Sequence, residues 1–178
     1  MGREVMRRVF LILSIAAIVI GAAFTAHHVL AATPSIQVQL AVDNTQPRQV
    51  EEATQAAVLR DYKEAWKNLA TAMENNRADA LSPSFVGFAQ DKLNQAIDQQ
   101  KKNGLRRKYV DHGHKVEAVF YSYDGSALQL KDSASVEVQL LDGNKVVATE
   151  PGTIHYMVLM TPAENSWKIR DLEAVPSF

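Results

Sequence analysis

The chain carries two hydrophobic patterns and passes from one to the other near Leu105. Val58, Tyr62, Ala65, Trp66, Leu69 and Met73 recur at steps of three and four, which makes one stripe on a helix of 3.6 residues per turn. Asp61, Lys63, Glu64, Lys67 and Asn68 fall beside or opposite that stripe. The pattern predicts a helix from about Val50 to Glu74. A short segment, Arg77 to Leu81, follows it. Ser82-Pro83 then predicts a second helix, with the serine as N-cap and the proline at the first helical position. Phe85, Phe88, Ala89, Leu93, Ala96 and Ile97 form its apolar stripe. Asn103-Gly104 ends it, with Lys101 and Lys102 in the last turn, where cations oppose the helix dipole.

Beyond Leu105 the period falls to two. Val116, Ala118 and Phe120 alternate with Glu117, Val119 and Tyr121, and Asp124-Gly125 marks a hairpin turn. Leu128 and Leu130, then Val136, Val138 and Leu140, alternate with polar residues up to a second turn at Asp142-Gly143. Ile154, Tyr156, Val158 and Met160 form the next strand. Pro162 to Ser166 make the last turn, and Trp167, Ile169 and Leu172 lie on a final strand. Alternation with a polar face predicts an antiparallel sheet covered on one side. Helices first and a meander afterwards give an α+β class rather than α/β.

The first pattern in the chain is of a third kind. Val9 to Ala26 is unbroken apolar and small, with Ser14 and Thr25 its only hydroxyls. As a helix it spans roughly 27 Å, near the hydrocarbon thickness of a bilayer. Arg3, Arg7 and Arg8 precede it, so the charge rule places the chain beyond Ala26 outside the cytoplasm. Two readings of residues 1–31 stand side by side. Val29-Leu30-Ala31 sets small residues for a signal-peptidase cut before Ala32, whereas the apolar run is longer than a usual signal core and suits a retained anchor. Residues 32–49, with two prolines, read as a stalk holding a short extended piece at Ile36–Val42. Residues 50–178 are the globular domain, long enough for one core.

The net charge of -1 excludes the strongly basic character of a nucleic-acid-binding domain. The absence of cysteine removes disulfides, thiol catalysis, Cys-ligated metal and a lipid-modified cysteine anchor. Asp111-His112-Gly113-His114 has metal-like spacing, because alternate side chains of an extended chain share a face; no third ligand is set, and the segment reads as a polar loop entering a strand. No metal or cofactor is expected. Asp61 lies at the edge of the first helix stripe and reads as a solvated flank residue. Lys101, Lys102, Arg106, Arg107 and Lys108 gather around one turn, as a solvated helix end or as a surface for anionic headgroups or an acidic partner. His27 and His28 sit at the exit of the apolar run and read as interfacial.

The element order resembles the NTF2-like (cystatin-like, SnoaL-like) superfamily over roughly Val50 to Ala174. The closing "HYMVLM…NSWKIRDL" resembles the last two strands of such domains, and "YKEAWKNL" their opening helix. The resemblance implies helices cradled by a curved sheet forming a cone. It leaves function open, because the fold hosts isomerases, dehydratases, hydrolases and non-catalytic modules. Tyr62, Trp66, Phe88, His155, Tyr156 and Trp167 are the residues that would line a cone pocket. No catalytic motif of the superfamily is present, so no catalytic residue is assigned. The sequence is read first as an exported or membrane-tethered interaction module with a protein partner, similar in topology to VirB8-type secretion components. It is read second as a SnoaL-like or ketosteroid-isomerase-like protein with a small-molecule ligand. From the charge asymmetry, a reporter that works only in the cytoplasm, fused after Phe178, is expected to be inactive. N-terminal sequencing separates the two readings of residues 1–31, since a start at Ala32 means cleavage.

Overall fold

A computed structural model describes residues 36–178. The apolar run, its arginines, His27, His28 and the 32–35 part of the stalk lie outside the described residues. Among the described residues, no helix is long and apolar enough to cross a membrane.

Strand β1 (Val38–Ala41) and the two-residue β2 (Gln46–Pro47) come first. Helix α1 (Glu52–Asn75) follows, then a 3₁₀ turn at Ala78–Leu81 and helix α2 (Gly87–Lys102). Four long strands complete the chain: β3 (Leu105–Tyr121), β4 (Leu128–Asp142), β5 (Lys145–Ala163) and β6 (Ser166–Val175). They pair antiparallel as a meander, turning at the Asp124-Gly125, Asp142-Gly143 and Pro162–Ser166 positions that the sequence marks. β1 and β2 both pair parallel to β3, so the sheet is mixed and its order is β1-β3-β4-β5-β6. The residues expected as a stalk therefore join the domain from Ile36 onward. Leu40 and Val38 pack on the core, and buried Thr45 donates its hydroxyl to Ala118 O (3.0 Å), which fixes the stretch between β1 and β2 to β3.

α1 buries Val58, Tyr62, Ala65, Trp66, Leu69, Ala72 and Met73, the predicted stripe, against β3 and β6. α2 departs from expectation. Ser82-Pro83 does not open it; Ser82 turns back to bond Asp79 O, and the helix starts at Gly87. The intervening residues form a strand-like bridge. The Ile169 N–H donates to Ser84 O and the Val86 N–H donates to Ile169 O (2.9 and 3.0 Å). That bridge drives Phe85 fully into the core, while Phe88, one turn later, is 68% exposed. Helical spacing alone puts the two phenylalanines on one face; the bridge separates them, because Phe85 is outside the helix.

Asp61 also differs from the solvated flank expected of it. Its side chain is 12% exposed, and Oδ2 accepts the Trp167 N–H at 2.7 Å while Arg60 pairs with the same carboxylate. It thus ties α1 to the start of the closing strand. Hydrogen bonds to charged groups contribute about 1.5–3 kcal/mol, so Asp61→Ala is expected to cost on that order, and Phe85→Ala about 3–5 kcal/mol. Phe88→Ala should stay within about 0.5 kcal/mol. Denaturant melts of the three variants check the set, and a Phe88→Ala loss equal to that of Phe85→Ala would contradict the bridge.

Candidate functional site

The polar centre of the domain lies between α1 and the inner face of β3 and β4. Asp132 on β4 follows Leu128 and Leu130 in the inward phase of the strand, opposite Val116 and Tyr156. Its Oδ2 accepts two hydrogen bonds, from the Tyr62 hydroxyl and from the Nδ1–H of His114, both at 2.7 Å. The other ring nitrogen of His114 donates to Asp111 Oδ2 at 2.9 Å. The side chains of His114 and Asp132 are both 0% exposed.

A β-bulge between Asp111 and Gly113 makes this set. An extra residue shifts the phase of a strand, so residues three apart come to share a face. Asp111 and His114 are brought together in this way, and His112 is left exposed. Gly113 sits at φ +129, a region that side chains disfavour, and its N–H bonds the Asp111 carboxylate at 2.7 Å. The two histidines of the Asp111–His114 motif therefore do not converge. Among the described residues, no cluster of His, Cys, Asp and Glu could hold a metal ion.

Burial opposes a charge on His114, but the hydrogen bonds to Asp111 and Asp132 and their negative charges outweigh it, raising its pKa to about 9. At neutral pH the ring is therefore an imidazolium with both N–H groups donated. Burial, followed by the charge of Asp132, pushes the Tyr62 phenol well above its ordinary range. Burial likewise raises Tyr156. Aromatic rings close the space around this set. Trp66 tilts over His114 at 4.5 Å between ring centres, touches Tyr156 at 5.3 Å and meets Tyr62 edge-on at 6.3 Å. An indole face beside an imidazolium is itself attractive. Among the described residues, Trp66 Nε1 and Asp132 Oδ1 are buried here with no hydrogen-bond partner within reach.

Of the residues expected to line a pocket, three converge: Tyr62, Trp66 and Tyr156. Phe88 is exposed on α2. Trp167 is half-buried and packs on Tyr121, 6.2 Å away. His155 belongs to the outer sheet face, where Ser133 Oγ and His155 Nδ1 are 3.0 Å apart and Phe178 meets the imidazole edge-on at 5.0 Å. His114, Asp111 and Asp132 are the residues that sequence reasoning did not assign to the cone. A signal exists for them: His114 precedes Val116 and Ala118 by steps of two, and Asp132 follows Leu128 and Leu130 in the same way. A charged residue in the buried phase of a strand requires a partner. A cleft of about 540 Å³ lies on the outer face, lined by Gln39, Lys115, Ser133, Ser135 and Thr153 among others.

The chain matches no protein-family model, and no curated protein matches it. Solved structures do. The intermembrane space region of the chloroplast protein ARC6 superposes with a TM-score of 0.62 at 19% identity, over 74% of this chain and all of that one. The domain has the NTF2-like fold. A periplasmic fragment of TraM follows with a TM-score of 0.49 at 16% identity, over 65% of this chain and 96% of that one. A putative scytalone dehydratase from Novosphingobium aromaticivorans also has a TM-score of 0.49, at 8% identity, over 70% of this chain and 89% of that one. At 19% identity, the likeness to the ARC6 region shows shared fold only.

The raised pKa of His114 carries a sign. Its folded value, about 9, lies above the ordinary 6.5, so the contribution of the charged ring is complete below pH 6.5 and is lost as pH rises through 9. The amount is on the order of 3 kcal/mol. Denaturant melts between pH 6.5 and 9.5 are expected to show this loss. Asp111→Asn, which removes one of the two carboxylate charges, should make it smaller. A profile equally steep in that variant would contradict the assignment.

Proposed function

We propose that the domain is a non-catalytic interaction module, held on the extracytoplasmic side of a membrane by the N-terminal apolar segment. The observation that carries this reading is the closed cone. A general base must offer a lone pair near the operating pH and reach its substrate. His114 offers neither, since both nitrogens are donated and its side chain is fully enclosed. Trp66 lies over His114 and against Tyr156, 4.5 and 5.3 Å between ring centres. The likeness to an intermembrane space region supports placement outside the cytosol, as do the arginines ahead of the apolar run. The outer cleft, with exposed Ser135 and Thr153 at its rim, is the surface offered to a protein partner.

One observation favours the alternative, a SnoaL-like or ketosteroid-isomerase-like enzyme or binder. Among the described residues, Trp66 Nε1 and Asp132 Oδ1 are a buried donor and a buried acceptor without partners. If Trp66 swung aside, they could meet a polar ligand. Two measurements on the full-length protein decide. Photo-crosslinking groups at Ser135 and Thr153 are expected to trap one discrete protein adduct in cells, and none from Gln95 on α2. Hydroxylated aromatic ketones are expected to leave the thermal midpoint unchanged. A rise in midpoint that disappears in Asp132→Asn would replace the interaction reading with the enzyme reading.

A further inference from the structure

The two ends of the sheet differ in what they expose. At one end lie the Asp124-Gly125 and Pro162–Ser166 turns. At the other, β3 begins at Leu105 opposite Asp142, and the Asp142-Gly143 turn leads into β5. There β3 begins beside the end of α1, where Asn76 Nδ2 donates to Leu105 O at 3.1 Å. β6 pairs β5 only from His155 onward, and β5 is exposed from Lys145 to Thr153. Val146 and Val147 are 45% and 48% exposed on this ribbon.

The same end concentrates positive charge. Lys101 and Lys102 end α2, Arg107 and Lys108 lie on β3 and Lys145 begins β5. Arg106 is committed to structure, bonding Glu74 O and Gly143 O, and it locks the turn to the end of α1. Lys108 pairs loosely with Glu74 at 3.8 Å, and Arg77 pairs with Asp79. With Asp98 and Asp142 included, seven cations face four carboxylates. Glu137 and Glu150 stand farther up the strands. The chain as a whole carries -1, and its first ten residues carry three arginines against one glutamate, so the rest carries -1 - 2 = -3. A basic end on an acidic body requires a local reason.

The direction of β1 supplies one. β1 is parallel to β3, with Val38 beside His114, and the His114 N–H bonds Gln37 O. Followed backward, the chain leaves the sheet at Ile36 heading toward the Leu105 end. Eight strand residues, about 27 Å, separate the level of Gly113 from Leu105. Nine residues, 27–35, separate the apolar run from Ile36. They reach about 30 Å when extended, enough for the basic end to meet the membrane that holds the apolar run.

We propose that this end, with Lys101, Lys102, Arg107 and Lys145 around exposed Val146 and Val147, docks on an anionic phospholipid surface. The cations meet headgroup phosphates, and the valines enter the interface beside them. The inference rests on the apolar segment being a retained anchor.

The absence of cysteine permits a direct test. Full-length protein carrying Val146→Cys, labelled with an environment-sensitive dye, is reconstituted into phosphatidylcholine vesicles with or without phosphatidylglycerol. Flotation reports the anchor, and quenching by spin-labelled lipid reports docking. The label is expected to be quenched in vesicles containing phosphatidylglycerol and to return to water at high salt. In Lys101→Glu/Lys102→Glu/Arg107→Glu the ratio of docked to undocked protein should fall at least about a hundredfold. The same label at Asn165→Cys, on the opposite end, should stay aqueous throughout. Floating Val146→Cys protein whose label stays aqueous overturns docking and leaves the anchor reading intact. Protein that fails to float overturns both. A label protected by soluble polyglutamate but not by vesicles overturns the lipid assignment in favour of an acidic polypeptide.

Discussion

Asp132 Oδ2 accepts a phenol from α1 and an imidazolium from β3 while standing on β4. Much of the domain can be understood from that atom. A carboxylate with no exposed surface is tolerated only with an opposite charge and directed donors. Tyr62 must therefore present its hydroxyl at a fixed depth, which sets the rotation of α1 over the sheet. His114 faces inward in phase with Val116 and Ala118, and the bulge at Asp111–Gly113 brings Asp111 to its second nitrogen. The hydrophobic stripe of α1 tolerates some sliding against a sheet; two short hydrogen bonds that join three separate elements do not.

Two further contacts close the structure around that centre. Asp61 takes the Trp167 N–H at the start of β6, one helical step from Tyr62. The bridge from Ser84 to Val86 pairs with Ile169 on the same strand. β6 is thus held by α1 and by the segment ahead of α2, and the last hairpin cannot lift without breaking both. Trp66 then packs on His114 and Tyr156 beside that centre. The same packing encloses His114 and engages both of its ring nitrogens. In this fold function is a property of the site and not of the architecture, and here the accessible features lie on the outer face and at the basic end of the sheet.

Much of the architecture is determined by the sequence alone, because its signals are local. The α1 stripe from Val58 to Met73, the Asn103-Gly104 stop, the period-two runs and the three hairpin turns each depend on residues a few positions apart. α+β order and the NTF2-like arrangement follow from them. Phe88 shows the limit of such reading: its spacing suits the apolar face of a helix, yet the segment ahead of it is bridge, not helix, because Ile169 supplies backbone partners from far along the chain. Asp61 shows it again, since a residue at the margin of a stripe is buried or solvated according to what lies beyond the helix.

The polar centre is half visible in the sequence. His114 and Asp132 stand in the buried phase of their strands, and that alone states that each needs a partner. Which partner it is depends on pairings eighteen and seventy residues apart. Asp111 joins them only because a bulge changes the strand phase, and the sequence hints at a bulge only through Gly113. The parallel pairing of β1 is likewise closed to sequence, since a four-residue strand after a proline carries no signal of its direction. Short-range periodicity determined the elements. Only the tertiary structure, which lets groups distant in the chain satisfy one buried charge, decided that the cone is closed and which way the chain enters it.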